Sequence, residues 1–445
     1  MLAGPTTEES PLLGEPDPST TPTVVTQDVD PHPRMTLRIG AAMYSFAFLG
    51  LFTSSIGVML QPLTRHYSLT DIHVSLVFVV GPVGYIIAAQ LSSSVHWKLG
   101  QRGVSVIAPT LHILGVLLVA THPPFPVVLV AFSAVALGAG FLDGSLCAWA
   151  ATVHNANTVT GMLQGSYSVG AAIGPVLAGT VLPAWNRPWY DWYYVLVAAS
   201  FIELCLLSFA CRHENATKYR GEKQLEEASL KHIFKYRATW LAAVYFLAYV
   251  GIETAISGWT VPFMLRYRHA SPYFASMCSS GFWSAMALGR FTLGVVTDTI
   301  GVVRATVGYF LVTITFQVTF ALVPGNTSSV VFMSLIGFFM GPMFASGIVM
   351  VTRLLPSELH IATVSFGASA GQIGAALFPF GIGAFIQSVG IRIFPFSIVV
   401  LSCLAFLSWL PFLSQHSMVI SGSCIDEGES DPALARTMGN GSLPP

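Results

Sequence analysis

Charge is scarce in this chain. Of its 445 residues 9% are Asp, Glu, Lys or Arg and 53% are apolar, and the mean hydropathy is +0.67. A soluble domain carries about a quarter charged residues, so a surface facing mostly water is excluded, and a soluble enzyme with it. The 20 Lys and Arg nearly balance 21 Asp and Glu, a formal net charge of −1, which leaves no basic field to attract nucleic acid. Cysteine is scarce too. The six (Cys147, Cys205, Cys211, Cys278, Cys403, Cys424) show no C-x-x-C spacing, so no disulfide framework is expected. No Gly-Lys dipeptide occurs, which removes the Walker phosphate loop and, with it, ATP-driven transport by this chain. There is no H-E-x-x-H, and Gly138-Ala-Gly140 lacks the third glycine of a dinucleotide loop. No enzyme activity, cofactor or metal is expected.

What the chain has instead is long apolar runs. A membrane helix needs about 20 apolar residues at about 1.5 Å rise each, and twelve runs qualify: 39–60, 74–95, 103–121, 126–149, 162–183, 192–211, 239–265, 274–296, 305–323, 328–351, 362–385 and 394–414. Eight contain no charged residue, and the fourth, sixth, seventh and eighth carry one each. The expected fold is therefore an all-α integral membrane protein of twelve transmembrane helices. Residues 1–33 hold six acidic residues and no Lys or Arg, unlike a secretory signal, so the first apolar run is expected to direct insertion. Both tails, 1–38 and 415–445, are rich in Pro, Gly, Ser, Thr and acid and are expected to be disordered.

Basic residues orient the spans. Fourteen Lys and Arg fall on the side of the tails and five on the other, which places both tails in the cytosol. The rings Trp185, Trp189, Tyr190, Trp192, Tyr193 and Tyr194 then fall at the outer interface, where amphipathic rings anchor. The longest interior polar stretch, 212–238, separates six-helix halves at 39–211 and 239–414. Within it Leu225, Leu230, Ile233 and Phe234 recur at helical spacing, so a linker with some surface helix is expected.

The halves repeat at a single offset. Gly50-x-x-Thr53-x-x-x-Gly57 matches Gly251-x-x-Thr254-x-x-x-Gly258 at a shift of 201 residues, and the same shift relates Gly100 to Gly301, Gly140 to Gly341 and Gly170 to Gly371. Parallel six-helix repeats place a site between them near the bilayer midplane, with the halves rocking around it.

These features resemble the major facilitator superfamily. Gly294-Val-Val-Thr-Asp298-Thr-Ile-Gly301-Val-Val-Arg304 fits that family's signature loop, G-x-x-x-D-x-x-G-x-x-R. The resemblance implies a cytosolic latch made by Gly294, Asp298, Gly301 and Arg304. Its counterpart in the first half is incomplete, with Trp97 standing opposite Asp298. Gly161-(x8)-Gly170-(x3)-Gly174-Pro175-(x2)-Ala178-Gly179 resembles the antiporter motif of drug/proton exchangers, with Ala178 in place of one glycine. That resemblance implies a bent fifth helix that disfavours leak; the alternative is ordinary close packing. Gly251-Ile-Glu253 through Trp259 and Gly140-Phe-Leu-Asp143 through Trp149 look like the fucose-permease-like branch and related fungal carriers, with Cys147 where that branch often has Asn.

A charge inside the bilayer is costly and marks function by default. Glu253, midway along the seventh run, is the leading proton or substrate candidate. Asp143 follows, as either a site residue or a cap near its span's end. Arg290 is suited to bind a carboxylate or phosphate, or to pair with Glu253 or Asp143. Glu203, among bulky apolar neighbours, has no evident role. Gln164 and Gln372 are candidates to line a cavity, and Trp259 to stack on a substrate.

The reading is a secondary active transporter of a small organic molecule, working by alternating access with protons as coupling ion and efflux or sequestration as the favoured direction. The alternatives are uptake of a sugar-like or other nutrient solute, and a non-transporting solute sensor of the same fold. A monomer in a bilayer is expected, with no ATP and no nucleic acid as partner. Glu8-Glu-Ser-Pro-Leu12-Leu13 resembles an acidic dileucine signal, so a vacuolar or endosomal location stands beside the plasma membrane. Asn326 is the outer-side candidate for glycosylation.

Overall fold

In lipid a backbone must satisfy its own hydrogen bonds, so spanning segments become helices. The computed structural model describes residues 33–429 except 152, 154–155, 182–183, 218–229 and 356–358, and among the described residues no strand occurs. The helices are α1 (Pro33–His66), α2 (Asp71–Val74), α3 (Leu76–Ala120), α4 (Phe125–Ala151), α5 (Ala156–Val176, continued by a π turn Leu177–Val181), α6 (Asp191–Ala210), α7 (Arg237–Arg266), α8 (Pro272–Ile300), α9 (Val302–Leu322), α10 (Asn326–Met340), α11 (Met343–Leu354), α12 (His360–Val389) and α13 (Phe394–Glu429).

Ten segments among the described residues are long and apolar enough to cross a membrane, with α3 supplying two and α10 and α11 together one. The fifth and eighth expected runs fold as α5 and α8 but are not among the ten. Both are diluted by polar residues, such as Gln164 and Ser168 in α5 and Ser279 and Arg290 in α8, and these two helices pack on each other. At the C-terminus α13 passes the expected end at Ser414 and reaches Glu429. Residues 415–429 are thus helical rather than irregular, since no proline interrupts the ladder between Pro411 and Pro432. In the central polar stretch a 3-10 turn, Leu230–Lys235, buries Ile233, while Leu225 lies outside the described residues.

Shifting the chain by 201 residues carries α1 onto α7, the two limbs of α3 onto α8 and α9, α4 onto α10 and α11, α5 onto α12, and α6 onto α13. Packing obeys the same relation. Helix α1 lies on α5 as α7 lies on α12, and between the two groups α5 meets α8 as α12 meets α3. At Gly50 a Cβ would lie 2.8 Å from the backbone nitrogen of Ala171, and at Gly251 2.8 Å from the carbonyl of Gly374; only glycine permits these approaches. The paired turns at Gly100 (φ 67°) and Gly301 (φ 95°) both adopt left-handed backbone, the first joining the limbs of α3 and the second joining α8 to α9.

The core shows which end is closed. A separate cluster that includes Ala41, Phe46, Ala88, Val104, Phe141, Leu146, Leu163 and Leu207 fills the N-terminal helices on the face carrying the termini. Toward the opposite face one continuous core joins both groups, from Phe52, Leu63 and Phe78 to Ile256, Trp259 and Ile382. There Arg266 donates to both carboxylate oxygens of Asp71, at 2.5 and 3.0 Å, and the Asp71 backbone N–H donates to Gln387 Oε1 at 3.0 Å. Among the six rings assigned to the interface, Trp192 and Tyr193 are instead buried in this core, whereas Trp185 is 73% exposed.

Candidate functional site

Between the two groups of helices lies a cavity of about 270 Å³. Its walls are aromatic, with Phe52, Phe78 and Phe132 on one side and Trp283 and Phe344 on the other, and its polar groups converge from α3, α4, α5, α7, α8 and α12. A largely apolar pocket with few convergent polar groups is the usual form of a small-molecule site.

Five of the six sequence candidates meet here: Glu253, Asp143, Arg290, Gln164 and Gln372. Arg290 resolves its alternatives by pairing with Glu253, Nη2 to Oε1 at 3.7 Å, with both side chains mostly buried. The same guanidinium crosses to the N-terminal helices, where Nη1 donates to the Gln164 carbonyl at 3.1 Å and to Ser168 Oγ at 2.6 Å. Arg290 therefore ties α8 to α5 while its charge is balanced from α7. Asp143 accepts from the Tyr85 hydroxyl at 2.5 Å and from the Cys147 thiol at 3.3 Å. It lines the cavity rather than capping its helix.

Trp259 does not belong to this wall. It is buried, donates from Nε1 to the Pro379 carbonyl at 2.9 Å and packs against Phe78, bracing α7 on α12 toward the closed face. Six residues on from Glu253, it lies about 120° round the helix and nearly two turns further along α7, beyond the cavity. Trp283 takes the aromatic role instead, donating to Ser257 Oγ and standing edge-on to Tyr167 with centroids 5.7 Å apart.

The motif residues divide. Gly170 and Gly174 pack on α1, and Gly179 meets Ser276 of α8; a Cβ at Gly161 would touch nothing. Pro175 lies one residue before the end of the α-helical part of α5, and the π turn Leu177–Val181 follows it. Asp298 lies in the last turn of α8, and its side chain is outside the described residues. Gly301 makes the turn, Arg304 is exposed at the start of α9, and Gly294 has open space beside it. Asn326 is the first residue of α10.

Glu203 gains an account that the sequence did not supply. It is fully buried, accepts from Ser45 Oγ at 2.6 Å and from His112 Nδ1 at 2.8 Å, and so fastens α6 to α1 and to the second limb of α3, away from the cavity.

A family model described as the Major Facilitator Superfamily matches residues 42–260 and again residues 241–420. The chain belongs to the Major Facilitator Superfamily. As a member it is a multi-pass membrane transporter of small solutes and not an enzyme. Its relatives include Bypass of stop codon protein 6 of Saccharomyces cerevisiae, 25% identical over 412 residues, which cover 85% of this chain and 82% of that protein. A shorter match, 33% identical over 109 residues, is to the glucose-6-phosphate exchanger SLC37A2 of Bos taurus; it covers 24% of this chain and about a fifth of that protein's length. Among solved structures, a bacterial homologue of the human lysosomal transporter Spinster in an inward-facing, unoccupied conformation superposes with a TM-score of 0.69 at 14% identity, over 87% of this chain and 99% of that one. The nucleoside transporter NupG gives 0.68 at 13% identity, over 85% and 99%, and the E. coli fucose:proton symporter FucP 0.59 at 16% identity, over 84% and 98%. At these identities the likeness is one of fold.

Proposed function

We propose that this facilitator carries a small organic solute through the central cavity by alternating access, coupled to proton movement at Glu253, with both tails in the cytosol. The observation that carries the reading is the junction at Arg290. This residue is balanced by Glu253 on its own side of the cavity and holds Gln164 and Ser168 on the other. At 3.7 Å and an effective dielectric of about 20, the pair is worth on the order of 4 kcal/mol before desolvation. A proton arriving on Glu253 removes that attraction and leaves Arg290 uncompensated, held only by its bonds to Gln164 and Ser168, at the contact where the two groups of helices meet. Proton occupancy and the rocking of the halves are thereby linked through one guanidinium.

The closed face opposite the termini and the separate cores on the terminal face make this an inward-facing arrangement once the tails are placed in the cytosol. Efflux or sequestration draws support from the packing of Gly170 and Gly174 on α1 and of Gly179 on α8, close approaches of the kind the antiporter-like motif implies. Uptake of a sugar-like solute is the second reading, favoured by the amides of Gln164 and Gln372 beside the Tyr167 and Trp283 rings. The acidic dileucine stretch and Asn326 carry the proposals of endosomal or vacuolar routing and of glycosylation.

Counterflow in proteoliposomes tests the reading. Labelled solute should exchange against unlabelled solute in vesicles holding the protein and not in empty ones. Binding without exchange would make the chain a solute sensor.

A further inference from the structure

We infer that the central cavity selects by charge, admitting neutral and cationic solutes and refusing phosphorylated and other dianionic ones, with Asp143 as the residue that sets this preference. The inference rests on the cavity being the transport site. Five titratable side chains line it: Tyr85 from α3, Asp143 from α4, Tyr167 from α5, Glu253 from α7 and Arg290 from α8. Two carboxylates thus face one guanidinium. While Glu253 is ionised that guanidinium is already spent, balanced by Glu253 and held by the Gln164 carbonyl and Ser168 Oγ.

Asp143 is in the contrary position. Its partners are neutral donors, the Tyr85 hydroxyl and the Cys147 thiol, and among the described residues no cation pairs with it. An ionised carboxylate offers about four acceptor sites, so places remain for a solute's N–H or O–H groups. The aromatic walls reinforce the preference, because ring faces attract cations. A phosphate dianion entering the cavity would have to displace Glu253 from Arg290 while facing Asp143. The basic residues Arg65, His66 and Arg187 line a different hollow, at the closed face, and none of them reaches the central cavity. The substrate named for the glucose-6-phosphate exchangers, which match this chain over only a quarter of its length, is therefore not the class this cavity takes.

The test reads the cavity's potential directly. The full chain, with Cys147 replaced by Ser to keep a donor to Asp143 and the other five cysteines by Ala, receives a single cysteine on the wall, Ala139→Cys or Ala368→Cys. Labelling rates are compared for a cationic methanethiosulfonate (trimethylammonium-ethyl) and an anionic one (sulfonato-ethyl), each normalised to its rate with free mercaptoethanol. The expected result is a normalised cation-to-anion ratio of about tenfold, as in a cleft that focuses one sign of charge. Asp143→Asn should bring it close to one and Asp143→Glu should preserve it. A ratio at or below one in the single-cysteine chain that keeps Asp143, once that chain is shown to elute as a folded species on size exclusion, overturns the inference without the Asp143→Asn variant having to fold, as does a ratio unchanged by Asp143→Asn or a cavity that reacts with neither reagent. Labelling requires no transport, so a failed ratio with intact counterflow sinks charge selection alone. An intact ratio without counterflow sinks the transport reading alone.

Discussion

Neutralising Asp71 should open the face that is closed here. Its carboxylate receives two bonds from Arg266, at 2.5 and 3.0 Å, which join the short helix α2 of one group to the end of α7 in the other. The Asp71 side chain is 14% exposed and that of Arg266 34%, so water screens the pair in part. A charge-assisted bidentate bond is worth about 1.5–3 kcal/mol when shielded and an exposed pair about 0–1, which places this one near 1 kcal/mol. Asp71→Asn keeps the backbone N–H that bonds Gln387 and removes the charge together with one of the two acceptors that Arg266 uses. At about 1.4 kcal/mol per tenfold, the ratio of open to closed molecules should rise about fivefold. Spin labels at His73 and Ser388, on either side of the seal, report this in double electron-electron resonance as growth of a longer distance. Exchanging the charges, Asp71→Arg with Arg266→Asp, should return the distribution to its original form. Superimposable distance distributions for the parent and Asp71→Asn would refute the seal.

Other outcomes follow from packing. Glu203→Ala strands His112 and Ser45 in a fully buried site, a loss of about 3–5 kcal/mol, so thermal unfolding in detergent should fall by many degrees; an unchanged midpoint would contradict the structural role. Gly50→Leu has no room against α5 and should abolish folded yield on size exclusion, whereas Gly294→Ala, with nothing within 4 Å of its added Cβ, should yield normally. Trp259→Phe loses the bond to the Pro379 carbonyl and should lower stability by about 1–2 kcal/mol while leaving labelling at Ala368→Cys unaltered.

Much of the fold was legible because a bilayer asks for so little. Run length alone located the helices, and the 201-residue shift found in five glycine pairs carries every spanning helix of one half onto the other. The charged residues within spans were equally informative, since Glu253, Asp143 and Arg290 converge on one cavity. What stayed hidden was partnership. Arg290 could be matched with either carboxylate until the helices were in place. Glu203 looked isolated among Phe201, Ile202 and Leu204 because its partners lie 91 and 158 positions away in the chain. The Asp71 to Arg266 seal joins two loop-end charges 195 residues apart, and no local pattern marks such a pair. Trp259 misled for the opposite reason, its closeness to Glu253 along the chain, because 1.5 Å of rise per residue carries it past the cavity.

The most direct measurement of the proposed coupling compares two transport modes of Glu253→Gln in proteoliposomes. The glutamine keeps size and a hydrogen-bonding head but cannot exchange a proton. Counterflow, which needs only the rocking of the halves, should persist at a rate within a fewfold of the parent, whereas accumulation driven by an imposed pH gradient should vanish. Accumulation that still follows the pH gradient in Glu253→Gln would contradict the account.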